Sequence, residues 1–119
     1  MIKLKNVSKR YSKDSIGLDH VDLHIEAGEF VSIVGQSGTG KTTLIKLLIA
    51  EERPTVGEIE IGGWDITKIP YRDIPYLRRQ IGVVFQDLKL LPKKTVYENV
   101  EFALEVGGTS YHRIKEIVP

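Results

Sequence analysis

The sequence predicts an α/β fold with an antiparallel β opening, followed by a parallel sheet and helices. Polar and apolar residues alternate over residues 2–7 and again over 18–25, the pattern of half-exposed strands. A glycine-rich segment then separates a short apolar run, residues 30–34, from a helical pattern that begins at Lys41. Strand, loop and helix in this order are typical of parallel α/β domains.

The first elements follow from local patterns. Residues 12–17 are polar and end in glycine, which predicts a turn and makes the first two strands a hairpin-like antiparallel pair. Residues 30–34 are short, apolar and β-branched, as in a strand covered on both faces of a parallel sheet. The helix predicted over 41–52 carries two apolar stripes and ends before Pro54.

The second half of the sequence becomes helical. The predicted elements are, in order, a strand over 57–61, a short polar helix or turn over 74–80, a strand over 81–85, and helices over 96–106 and roughly 111–118. We therefore expect one domain with two parts, a core over residues 1–86 that contains the glycine-rich segment and the start of a helical subdomain over 87–119.

Composition narrows the class of protein. The chain has 119 residues, 41% hydrophobic and 28% charged, which suits one soluble globular domain. Its formal net charge of +1 argues against nucleic acid as a partner. There is no cysteine, no basic and apolar leader, and no apolar run near the roughly 18 residues of a membrane span. We expect a cytoplasmic protein whose contact with a membrane comes through a partner chain.

The glycine-rich segment matches the phosphate-binding motif G-x-x-x-x-G-K-[ST] at every fixed position. The matching residues are Gly35, Gln36, Ser37, Gly38, Thr39, Gly40, Lys41 and Thr42, and Thr43 follows them. Glycines allow successive N–H groups to line one anion-binding concavity, and the N-terminus of the next helix adds partial positive charge. We expect Lys41 to reach the β and γ phosphates, Thr42 to bind Mg²⁺ and Thr43 to lie near the α phosphate. The alternative is a glycine-rich connector with an incidental lysine.

Residues outside the loop extend this interpretation. Over its whole length the chain resembles the nucleotide-binding domains of ABC-type ATPases. Tyr11 resembles the aromatic residue on which this family stacks adenine, and Gln86 resembles the Q-loop glutamine that approaches Mg²⁺ and the attacking water. The resemblance implies catalytic roles for Lys41 and Gln86. The alternatives are a tyrosine packed on its own sheet and a polar residue that caps a strand.

The stretch over residues 76–87, continued by 90–92 and 95–100, is similar to the FtsE family of bacterial cell-division ATPases. That resemblance implies ATP and Mg²⁺ as ligands, a second ATPase subunit, and an FtsX-like integral membrane subunit contacted through the Q-loop and the helical subdomain. It places the protein on the cytoplasmic face of the cell membrane. Lipoprotein-export and amino-acid-uptake ATPases share much of the pattern and remain alternatives.

The sequence also departs from the family. A complete ABC domain has a Leu-Ser-Gly-Gly-Gln signature, an apolar strand ending in Asp-Glu, and a switch histidine, and residues 1–119 contain none of these. We therefore expect a truncated gene product or a native short form that binds ATP and hydrolyses it poorly or not at all. We also expect uncovered apolar surface and low stability.

Two other functions stay open at this point. In the first, the chain is a compact P-loop NTPase in which Asp87 orients Mg²⁺. In the second, it is a module whose only function is to bind a nucleotide or a partner. His20 and His24 lie on the polar face of a predicted strand with no third ligand nearby, which argues against a metal site there.

Overall fold

The computed structural model of the chain describes residues 1–87 and 89–118. These residues form two compact units, the first over Met1–Leu77 and the second from Arg78 onwards. The predicted boundary after Gln86 stays a prediction, and its second part includes residues 88 and 119, which lie outside the described residues.

One antiparallel sheet organises the first unit. Its strands are β1 (Ile2–Arg10), β2 (Ile16–Ile25), β3 (Val56–Ile61) and β4 (Trp64–Asp65), in the spatial order β2-β1-β3-β4. Strand β1 pairs with β2 from Ile2 opposite Ile25 to Arg10 opposite Ile16, which confirms the predicted hairpin. Strand β3 confirms the strand predicted over 57–61. It pairs antiparallel with β1, however, and so corrects the expected parallel strand–helix–strand arrangement.

A bulge in β1 helps to build the core. Leu4 and Val7 are both buried although they are three positions apart, an odd spacing that would place them on opposite faces of a regular strand. The register shifts between them, and Asn6 adopts a positive φ of 51°. The Asn6 N–H group, turned out of the ladder, donates to Asp22 Oδ1 at 2.8 Å. Buried apolar residues from the other elements complete the core of this unit: Leu44, Leu47, Ile49, Ile59, Ile66, Ile69, Ile74 and Leu77.

Helix α1 (Lys41–Leu48) is shorter than the helix predicted over 41–52. It ends because Ala50 takes a left-handed φ of 52°, which no α-helix continues. The segment after it is tied to β1, since the Lys9 ammonium pairs with Glu52 at 2.8 Å and donates to the Arg53 carbonyl at 2.9 Å. Leu44 and Leu47, on one of the two predicted apolar stripes, are buried. Ile45, on the other stripe, is 44% exposed.

Two predicted strands are wrong. Residues 30–34 and 81–85 form neither helix nor strand, and Phe30 and Val84 are almost completely exposed. A strand requires a neighbouring strand to pair with its N–H and C=O groups. Within the described part of the chain, neither segment belongs to the sheet. The apolar composition predicts burial, and the exposure of Phe30 and Val84 corrects that prediction as well. The pairing partners of a strand cannot be read from the segment itself.

The remaining helices agree with the sequence. A short 3₁₀ helix over Tyr71–Asp73 leads into α2 (Ile74–Arg79), and the second unit contains α3 (Val96–Val106) and α4 (Tyr111–Ile117). Helix α3 begins with a capping box: Glu98 N donates to Thr95 Oγ1, and Thr95 N donates to Glu98 Oε2 at 2.7 Å.

Candidate phosphate-binding site

The glycine-rich loop leads directly into α1, and its glycines take conformations that other residues avoid. Gly38 and Gly40 have φ values of +82° and +91°, and Gly40 is the N-cap of α1. The first helical hydrogen bond runs from Leu44 N to Gly40 O at 2.9 Å. A Cβ on Gly40 would collide with the carbonyl oxygen of Gly17. Both backbone angle and close packing therefore require glycine at this position.

The N-terminus of α1 presents unpaired donors. No side chain caps it, and its first turn contains no acidic residue. Within residues 1–87 and 89–118, the N–H groups of Lys41, Thr42 and Thr43 have no hydrogen-bond acceptor. Unpaired N–H groups and the positive end of the helix dipole together favour a bound anion.

The Lys41 side chain folds back across the loop. Its ammonium donates to the carbonyl oxygens of Gly35 and Gln36, each at 2.6 Å, and lies 3.2 Å from Thr39 Oγ1. No carboxylate in the described part of the chain pairs with this ammonium. Its positive charge therefore stays available to an anion that approaches the loop.

The space around the loop differs along its length. A Cβ on Gly35 would lie 2.6 Å from Thr39 Oγ1, whereas nothing lies within 4 Å of a Cβ placed on Gly38. Thr42 is exposed in the first turn of α1. A hydroxyl is a hard oxygen donor of the kind that Mg²⁺ accepts together with phosphate oxygens. The residues present thus fit a phosphate chain and its magnesium ion.

Tyr11 and Thr43 meet at the start of α1. The Tyr11 hydroxyl lies 3.3 Å from Thr43 Oγ1, although the two residues are 32 positions apart. Thr43 is 8% exposed and Tyr11 is 49% exposed, so the threonine is covered while the tyrosine ring still reaches solvent. The structure brings together these two predicted site residues, and their roles toward adenine and the α phosphate stay predictions.

The other candidate residues belong to the second unit or have local partners. Gln86 belongs to the second unit, where it is exposed in a segment without helix or strand. Asp87 Oδ2 accepts from Lys89 Nζ at 3.2 Å. His20 Nδ1 lies 2.6 Å from Asn6 Oδ1, and His24 Nε2 lies 2.7 Å from Glu26 Oε1. Within the described ranges, no three histidine, aspartate or glutamate side chains form a group suited to hold a metal ion.

Sequence reasoning missed Gly17. The sequence predicts Gly17 at the end of a turn, but the residue lies inside β2 against Tyr11 and Thr43. The available signal was a glycine at the start of an alternating strand, since glycine within a strand often marks a close approach of other atoms.

Comparisons with known proteins show the family of the chain. Residues 18–118 match the ABC transporter family. The chain is 51% identical to the cell division ATP-binding protein FtsE of Bacillus subtilis, over 99% of this chain and 52% of that protein. It is 44% identical to FtsE of Escherichia coli K12, over 99% of this chain and 53% of that protein.

A solved structure has a similar fold. It is a dimeric ATP-binding cassette in a post-hydrolysis state, bound to ADP and Pi, and it matches with a TM-score of 0.87 and 36% identity over 98% of this chain and 53% of that chain. The chain thus spans about half the length of the relatives that it matches. Among the described residues, no helix is both long enough and apolar enough to cross a membrane.

Proposed function

Since this chain belongs to the ABC transporter family, we propose that it binds Mg-ATP through residues 35–43 as the N-terminal part of an FtsE-like ATPase. The observation that carries the proposal is the start of α1. There, three unpaired N–H groups, a left-handed Gly40 and the Lys41 ammonium converge on one loop. This arrangement suits the phosphates of a nucleotide.

Each residue has a part in binding. The Lys41 ammonium exchanges the carbonyls of Gly35 and Gln36 for oxygens of the β and γ phosphates, and the Thr42 hydroxyl holds Mg²⁺. The magnesium ion, when bound, neutralises part of the phosphate charge. The half-exposed ring of Tyr11 stacks on adenine, an interaction worth about 1–3 kcal/mol per base.

The activity of the longer protein is part of the same proposal. We infer ATP hydrolysis with Gln86 near the attacking water, a second ATPase subunit, and an FtsX-like membrane subunit on the cytoplasmic face. The FtsE relatives support the link to cell division, and the dimeric cassette supports pairing of two ATPase subunits. Residues 1–119 lack the signature and the Asp-Glu strand, so we expect these residues alone to bind ATP and release little phosphate. The alternatives are the ATPase of another ABC exporter or importer, and a compact NTPase that uses Asp87.

The test is a calorimetric titration of the chain with Mg-ATP, beside Lys41→Ala and Lys46→Ala. Lys46 lies on the same helix and pairs with Glu51 at 3.5 Å, which makes it a matched control for the loss of one positive charge. We expect Lys41→Ala to weaken binding roughly tenfold or more, because charge-assisted hydrogen bonds contribute about 1.5–3 kcal/mol. Lys46→Ala is expected to bind within about twofold of the original chain.

Two outcomes contradict the proposal. If circular dichroism shows that the chain is folded and the titration shows no binding of Mg-ATP, the loop is not a functional nucleotide site. Equal weakening by both substitutions would reflect general charge rather than the Lys41 position. Phosphate release by the chain alone, abolished by Asp87→Asn, would favour the compact NTPase.

A further inference from the structure

Lys9 connects the Tyr11 ring to the segment that follows α1. Its ammonium lies 5.2 Å from the centroid of the Tyr11 ring, within the roughly 6 Å over which a cation attracts the face of an aromatic ring. The same ammonium pairs with the Glu52 carboxylate at 2.8 Å and donates to the Arg53 carbonyl at 2.9 Å. One side chain thus joins the residue predicted to stack on adenine to two residues beyond the helix.

The Lys9–Glu52 pair is partly removed from water. The side chain of Lys9 is 14% exposed and that of Glu52 is 29% exposed. By contrast, Lys5 on the same strand pairs with Glu58 at 4.0 Å, and both of these side chains are mostly exposed. A charge held away from water requires a close opposite charge and hydrogen-bond partners, and Lys9 has both. Its ammonium is therefore confined to one position.

The partners of Lys9 are themselves held by the fold. Thr55, shortly after them in the chain, accepts a hydrogen bond on its hydroxyl from Arg10 N at 3.0 Å, which ties the segment to the end of β1. Glu52 N donates to the Lys46 carbonyl at 3.1 Å, which ties the same segment to α1. Because the segment is anchored on both sides, β1 and α1 together fix the place of the Lys9 ammonium.

The Tyr11 ring has weaker support from its other polar neighbours. Its hydroxyl lies 3.3 Å from Thr43 Oγ1, which is long for a hydrogen bond between two oxygens. Its N–H donates to Ser15 O at 2.8 Å, but that bond fixes the backbone and leaves the ring free to change rotamer. The ring is half-exposed, so the Lys9 ammonium is the contact that confines one of its faces.

We propose that Lys9, held in place by Glu52, is a positioning residue of the nucleotide site: its ammonium keeps the Tyr11 ring in the orientation that stacks on adenine. The part that concerns nucleotide rests on the proposed function above. Since Lys9 lies over one face of the ring, the base stacks on the other face. The pairing with Glu52 keeps the Lys9 charge away from the phosphates, so Lys9 acts on the base and Lys41 acts on the phosphates.

The first experiment needs no nucleotide. It measures the nuclear Overhauser contact between the ε-methylene protons of Lys9 and the ring protons of Tyr11. The contact is compared in the original chain, in Glu52→Ala and in Glu51→Ala. Glu51 is the control because it is the adjacent carboxylate and pairs with Lys46 at 3.5 Å. We expect the contact in the original chain and in Glu51→Ala, and its loss in Glu52→Ala. Retention of the contact in Glu52→Ala overturns the proposal.

The second experiment separates the base from the phosphates. Affinities for Mg-ATP and for magnesium tripolyphosphate, which has no base, are compared in the original chain, in Lys9→Met and in Lys5→Met. Methionine keeps an unbranched apolar side chain and removes the charge, and Lys5 is the matched control on the same strand. We expect Lys9→Met to weaken Mg-ATP binding roughly fivefold, within the range of a cation–π contact, and to change tripolyphosphate binding less than about twofold. Lys5→Met is expected to bind both ligands within about twofold of the original chain.

Two results of this titration overturn the proposal. An unchanged Mg-ATP affinity in Lys9→Met would show that the ring does not depend on the ammonium. Equal weakening for both ligands would show that Lys9 acts through its charge on the phosphates or through the loop.

A double variant guards against misfolding of Lys9→Met. In the Tyr11→Ala background the ring is absent, so adding Lys9→Met should cause no further loss of Mg-ATP affinity. A further loss there overturns the proposal. If the original chain binds neither ligand, the nucleotide assignment fails, and the Overhauser contact alone decides whether Lys9 holds the Tyr11 ring.

Discussion

Single glycines decide how the loop meets α1. Gly38 and Gly40 share a left-handed backbone, but their surroundings differ. Space is open around Gly38, whereas Gly40 packs against the Gly17 carbonyl. The motif does not distinguish the two glycines. In the structure Gly38 needs glycine for its backbone angle alone, whereas Gly40 needs it for its backbone angle and for close packing.

We expect Gly40→Ala to destabilise the chain more than Gly38→Ala. Each substitution places a Cβ in the left-handed region, which costs about 1–2 kcal/mol. Gly40→Ala adds a backbone collision, comparable with overpacking at about 1–3 kcal/mol. Urea denaturation measures the free energy of unfolding of both variants. Equal values for the two variants would show that β2 does not pack against the loop as described.

At the scale of an element, helix α3 shows how local sequence sets a boundary. Thr95 and Glu98 form the capping box, and Asn99 Oδ1 accepts from Leu91 N at 2.8 Å while its amide donates to the Thr95 carbonyl at 2.8 Å. These bonds hold the segment before the helix in one conformation. They explain why the predicted and observed starts of α3 coincide at Val96.

The cap of α3 should weaken in acid. The N–H of Thr95, followed by the ammonium of Lys94, holds the pKa of Glu98 below its ordinary value. A carboxyl with a lowered pKa in the folded state contributes stability above its unfolded pKa, and that contribution is lost as the pH falls through the folded value. We expect the protection factors of the amides in the first turn of α3, which compare the exchange rate with the intrinsic rate at the same pH, to fall below about pH 4.3, the ordinary value for glutamate.

Substitution at the cap provides the control for this pH dependence. Glu98→Gln keeps an acceptor for Thr95 N but cannot titrate, so the acid-induced loss of protection should disappear. Glu105→Gln changes a carboxylate in the last turn of the same helix and should leave the loss of protection in place. An unchanged pH profile in Glu98→Gln would show that another group controls the helix start.

At the scale of the whole molecule, exposed apolar segments distinguish this chain from a closed domain. Residues 30–34 have the composition of a central strand, yet Phe30 is 96% exposed. The relatives are about twice as long, and we expect their remaining length to supply strands beside this segment. Exposed apolar segments of this kind promote association between chains.

We therefore expect Leu47→Ala to lower the stability of the chain and Phe30→Ser to lower its self-association. Leu47 is 1% exposed, and its truncation should lower the free energy of unfolding by about 2–5 kcal/mol. Phe30→Ser should change it by less than about 0.5 kcal/mol and should reduce self-association. Urea denaturation and light scattering measure the two effects. Destabilisation by Phe30→Ser as large as that by Leu47→Ala would mean that residues 30–34 are covered.

Features that depend on neighbouring residues could be predicted from the amino-acid sequence alone. They are the phosphate-binding motif, the β1–β2 hairpin, and the starts of α1, α3 and α4. Three features became known only from the fold: residues 30–34 and 81–85 belong to no strand, β3 joins β1 antiparallel, and Gly17 lies against Tyr11 and Thr43. Strand pairing and close side-chain approach depend on partners far away in the chain, and no local pattern specifies which partners are present.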